Sequence, residues 1–131
     1  MKEVIFKEKY HLMVKEIMKD DIKFVSVADF IDYFKARVTE HPVAGFIAVF
    51  DHYAHTKALL TEGTIDESIL DARHIVFCFG KALESPLVMG MRPRSIGISE
   101  LSDRFVIAFQ QAPKALANEA MESWVKGLAD C

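Results

Sequence analysis

Apolar residues change their spacing several times along the chain, and each change predicts an element. Phe6, Tyr10, Met13 and Ile17 recur every three or four residues with Lys7, Lys9, Lys15 and Glu16 between them, which predicts an amphipathic N-terminal helix within residues 1–21. The short run Ile22 to Val25 reads as an edge strand. Ser26 followed by Asp29 resembles a capping box with its acid shortened, and Val27, Phe30, Ile31, Phe34 and Val38 form one face of a helix that His41-Pro42 ends.

Phe46 to Phe50, Ile75 to Phe79 and Phe105 to Phe109 are apolar at both alternations, so three strands buried on both faces are expected. Ile96 and Ile98 alternate with Ser95, Gly97 and Ser99, the pattern of a half-exposed strand, and Ser102-Asp103 turns it into the last one. Between the first two strands, Thr56 to Arg73 is a polar connection with a helix-like piece. Pro113 is placed to open a final helix with Leu116, Ala120, Trp124 and Leu128 inward. The order predicts an α+β fold: a mostly antiparallel four- to five-stranded sheet packed with helices in two layers, plus the extra N-terminal helix. If the helices lie on one face, the other needs cover, and a homodimer would supply it.

Composition narrows the class. A length of 131 residues fits a single domain, with residues 1–21 as the added helix and 22–131 as the core. Ten phenylalanines and six methionines supply a large core and leave apolar surface for a partner. A net charge of -3 argues against nucleic acid, which needs a basic face. No run reaches transmembrane length, and Met1-Lys2-Glu3-Val4 leads into a charged segment unlike a signal peptide. Two cysteines, Cys78 and Cys131, give no disulfide framework, so a cytoplasmic protein is expected.

Candidate chemistry gathers where Gly45 to Phe50 stops at Asp51-His52-Tyr53-Ala54-His55. His52 and His55, three apart on a helical turn, can share a face and with Asp51 hold a divalent metal or a haem; His52 can also serve as a general base. Alternatively, Asp51 caps the next helix and His52 bonds locally. Phe79-Gly80-Lys81 before Ser85-Pro86 offers backbone amides and a cation to an anion, without a Walker pattern or a three-glycine fingerprint. Arg92 and Arg94 around Pro93 can grip an anion or merely decorate a loop. Cys78, between phenylalanines, reads as a small buried hydrophobe. If adjacent strands end together, Asp51, His52, Gly80 and Lys81 would frame one pocket for a small anionic ligand. The reaction, if any, and any cofactor stay unknown; metal or haem on His52 and His55, and an acid-base enzyme using His52, are the alternatives.

From Lys23 to Pro113 the chain resembles the domain-of-unknown-function 302 family, through the Ser26 helix start, Phe46-Ile-Ala-Val-Phe-Asp51-His52, Ile75-Val-Phe-Cys-Phe-Gly80 with Ser85-Pro86-Leu87, and Phe105-Val-Ile-Ala-Phe. The resemblance implies a compact α+β domain with an antiparallel sheet and the Asp51-His52 pair as its polar signature, with no activity to carry over. The chain departs from that family at Tyr53-Ala54-His55, at Lys81-Ala82 and from Arg94 to Ile98.

Overall fold

The computed structural model describes residues 1–131. Six strands, β1 (Lys2–Phe6), β2 (Tyr10–Met18), β3 (Ala44–Asp51), β4 (Asp71–Phe79), β5 (Arg94–Glu100) and β6 (Arg104–Gln110), form one sheet in the order β1-β2-β6-β5-β4-β3, antiparallel throughout. Three α-helices accompany it: α1 (Val27–Glu40), α2 (His52–Ala58) and α3 (Ala115–Lys126). The fold is α+β, as expected.

Strand alternation splits the sheet into two unlike faces. Ile75, Phe77 and Phe79 of β4, Ile96 and Ile98 of β5, and Phe105, Ile107 and Phe109 of β6 are buried on one of them. Against that face α1 sets Val27, Phe30, Ile31, Phe34 and Val38, and α3 sets Ala117, Ala120, Met121, Trp124 and Val125. Ring contacts tie the layers together: Phe30 lies 4.7 Å from Phe105 and Trp124 lies 5.6 Å from Phe77, centroid to centroid. His41 packs against Phe79, its tilted ring 4.7 Å away, at the margin of this core. The Asp29 half of the capping box is formed, its carboxylate accepting from the amides of Val25 and Ser26.

Four expectations are corrected. The N-terminal helix does not exist; β1 and β2 make a hairpin whose second strand pairs with β6 from Leu12↔Gln110 to Met18↔Arg104. Tyr10, Leu12, Val14 and Met18 also satisfy a period of two, and a seven-pair ladder to β6 outweighs the weak helical preference of so short a segment. The sheet therefore has six strands rather than four or five. Ile22 to Val25 pairs with no strand; Ile22 and Phe24 pack on the core instead. Finally, α3 begins two residues after Pro113, because the Asn118 amide clasps the backbone N–H and C=O of Ala112, and this leaves Leu116 55% exposed.

The second sheet face explains the remaining difference. Ser95, Gly97, Ser99, Val76, Cys78, Val106 and Ala108 point to it, and no long helix covers it. So the strands of β4 and β6 are fully buried on one side only, and Cys78 is exposed rather than buried. β3 is an outer strand, which leaves Phe46, Ile47, Val49 and Phe50 between 36% and 51% exposed.

Candidate functional site at the end of strand β3

Chemistry collects where α2 leaves β3 and lies against the second face. Asp51 is the N-cap of α2: its Oδ1 accepts from the Ala54 amide at 2.9 Å. Its other oxygen lies 3.8 Å from Nε of Arg73, which is also 3.4 Å from Asp71, so the guanidinium is held between two carboxylates. Asp51 thus caps α2, the local role weighed for it above.

His52 opens α2 and reaches back over the sheet. Its Nδ1 lies 3.0 Å from Nε2 of His74, whose side chain stands on the second face because its β4 neighbour Ile75 faces the core. Burial, followed by repulsion from a protonated His52, holds the His74 imidazolium below its ordinary range. Phe50 underlies both rings, 5.1 Å from His52 and 5.9 Å from His74. His55 also touches Phe50, at 5.5 Å, but its ring is 6.3 Å from that of His52, against 5.2 Å for His74. The imidazole partner of His52 is therefore His74, not the His55 expected from helical spacing.

A cavity of about 260 Å³ opens beside this pair, between α2, residues 64–69 and the second face. Tyr53, Thr56 and Ser99 give it hydroxyls, Asp66 a carboxylate, and Ile65 and Ile69 an apolar wall. Two hydrogen bonds from Ser68 keep the Asp66 carboxyl below the usual carboxylate range. No group of three or more His, Cys, Asp or Glu side chains is arranged around a metal position.

The expected four-residue pocket is split in two. Because β3 and β4 run antiparallel, Asp51 pairs with Arg73 whereas Ala44 pairs with Phe79, and the Gly80 amide bonds to Val43. At about 3.3 Å per residue, Asp51-His52 and Gly80-Lys81 lie about 23 Å apart along the ribbon. Gly80 and Lys81 instead line a separate cavity of about 420 Å³ with Ile47, Cys78, Met89 and Arg92. The arginines make no common grip: Arg92 donates to the Ala82 carbonyl and Arg94 to that of Gln110.

A family model matches residues 1–130, hairpin included. The chain belongs to DUF6858, a family of unknown function. A domain of unknown function was expected, but the family matched carries this number and not 302. No curated protein matches the chain. No helix of this DUF6858 protein is long and apolar enough to cross a membrane.

What the DUF6858 site can do follows from its pair of imidazoles. With one proton each, the two rings share a single hydrogen between Nδ1 of His52 and Nε2 of His74, leaving one outer nitrogen as donor and the other as acceptor. His74 and Gly97 were missed at the level of sequence. The signal was there only in alternation: His74 falls on the opposite parity to Ile75, and Gly97 sits directly across from it in β5.

Proposed function

We propose that this protein binds a small polar ligand in the cavity beside His52 and His74. The observation that carries the reading is the 3.0 Å imidazole pair on a hydroxyl-lined wall. A few convergent polar groups in a concave, partly apolar site are the usual marks of a ligand pocket. A neutral pair offers a ligand one donor and one acceptor; a singly protonated pair carries the positive charge that an anion needs. Small anions should therefore bind more tightly in acid, as pH falls towards the lowered His74 value. The test is a titration of tag-free protein with acetate and inorganic phosphate, followed by amide and imidazole NMR. Shifts at Tyr53, Thr56, His74 and Ser99 that strengthen with acidity are expected; a response confined to Gly80 and Lys81, or none, would remove the reading.

We also propose a cytoplasmic homodimer. Support comes from the free β3 edge with its exposed Phe46, Ile47, Val49 and Phe50, and from the uncovered face beside it, surfaces that a two-fold pairing with a second copy would bury. The unpaired thiols of Cys78 and Cys131 suit a reducing compartment. Sedimentation at roughly tens of micromolar should show a dimer, and Ile47→Lys should return it to monomer. A monomeric native protein sinks the assembly claim and leaves the ligand site untouched.

A further inference from the structure

We propose that His52 Nδ1 and His74 Nε2 chelate a divalent transition-metal ion of the nickel or copper type. This rests on the cavity being the ligand site, but not on the charge of the ligand proposed for it. The two nitrogens are 3.0 Å apart. At a metal–nitrogen distance of about 2.0–2.1 Å, that separation subtends about 95°, near the right angle between adjacent positions of a square-planar or octahedral ion. A tetrahedral zinc ion would ask for about 3.3 Å between them, so zinc should bind less well.

Three further features suit a cation here. Asp66 brings an ionised carboxylate to the cavity wall, and the one guanidinium nearby, Arg73, is held between Asp51 and Asp71. Gly97 leaves room for the His74 ring, since a Cβ there would approach Cε1 at 3.3 Å and Nδ1 at 3.4 Å. Phe50 backs both imidazoles with an apolar surface.

Proton balance is simple when both rings are neutral. The hydrogen shared between His52 and His74 moves out of the gap, so that each imidazole keeps its one proton on the outer nitrogen: Nε2 of His52 and Nδ1 of His74. Both inner nitrogens can then donate to a metal set off the line between them, and no net proton is released. With two protein ligands the ion keeps open positions on the cavity side, where water or an anionic oxygen can bind. That would give an anion a positive partner besides the Arg73 guanidinium, which is held between Asp51 and Asp71.

The experiment uses the tag-free full chain and Ni²⁺ alone, by isothermal titration near neutral pH. One saturable site is expected, weakened at least about tenfold in His52→Ala and in His74→Ala and unchanged in His55→Ala. Circular dichroism checks the fold of each variant. If a variant unfolds, Cu²⁺ added to native protein gives the same information: paramagnetic broadening should centre on Phe50, His52, His74 and Gly97. Loss of binding in His55→Ala, retention in folded His74→Ala, broadening centred elsewhere, or no saturation below millimolar Ni²⁺ would each overturn the proposal. Phosphate is then titrated with and without Ni²⁺. Ni²⁺ binding with no phosphate response keeps the metal site and removes the anion reading; phosphate binding without Ni²⁺ binding does the reverse.

Discussion

Gly97 and His74 face each other across the β4–β5 ladder, and the hydrogen that glycine carries in place of a side chain is what leaves room for the imidazole. An added Cβ would meet the ring at 3.3–3.4 Å, tighter than ordinary contact. Gly97→Ala should push His74 off His52 and lower Ni²⁺ and ligand affinity. The strand keeps its ladder, so the stability cost should stay within about 1 kcal/mol. A chemical-denaturation midpoint measured beside the binding titration separates the two effects; unchanged affinity in a folded variant would mean that the ring does not depend on this gap.

Acid should weaken the metal-free protein through His74. Its folded-state affinity for a proton is lowered, by burial first and by His52 second, whereas the unfolded chain takes up that proton near the ordinary value of about 6.5. Below that value the unfolded state binds more protons than the folded one, so stability is retained above it and lost as pH falls towards the folded His74 value. Urea midpoints from about pH 7.5 to pH 5 should fall, and fall less steeply in His74→Gln. Equal slopes in the two proteins would assign the acid sensitivity to other groups.

Gly80 holds a φ of +128°, a conformation that side chains with a Cβ rarely adopt, and a Cβ there would meet Nη2 of Arg92 at 2.9 Å. The guanidinium is the far end of a flexible chain and can move, so backbone strain dominates. Gly80→Ala should cost about 1–3 kcal/mol. Adding Arg92→Ala should recover little of it. A double variant as stable as Arg92→Ala alone would put the cost on the side-chain clash instead.

The β1–β2 hairpin turns through Lys7 and Glu8, with φ of 52° and 61°, on residues that gain nothing from the left-handed region. Asparagine and glycine favour such turns. Replacing Lys7-Glu8 by Asn-Gly should stabilise the protein by about 0.5–1 kcal/mol, seen as a raised denaturation midpoint. A lowered midpoint would show that the turn's charges matter more than its backbone.

That same turn shows why the N-terminal pattern reads as a helix. Without an Asn-Gly or Asp-Gly pair, nothing local separates two strands, and Phe6, Tyr10, Met13 and Ile17 satisfy helical spacing by coincidence; only the distant β6 decides between the periods. By contrast α1 was legible to the residue, because its start and stop lie in Ser26, Asp29 and His41-Pro42, all local. β5 was equally plain from its alternating serines and isoleucines. Strand burial was overestimated for β3, since an apolar run says nothing about position within a sheet. The candidate site was half visible: Asp51-His52 marked one strand end, but antiparallel pairing carried Gly80-Lys81 to the opposite one and brought in His74, which local sequence gives no reason to choose.

The ladder between β2 and β6 has one more consequence, for the order of events as the chain is made. Leu12 to Met18 emerge from the ribosome well before their partners Arg104 to Gln110, which lie 86 to 98 residues further along the chain. A two-stranded hairpin is marginal in water by itself. It must wait through the synthesis of α1, α2 and three strands before its neighbour β6 is made. Closure of the sheet on that side is thus a late step, and in the interval the exposed edge of β2, with Met13 and Ile17, is the part of the nascent chain most in need of shielding by a chaperone.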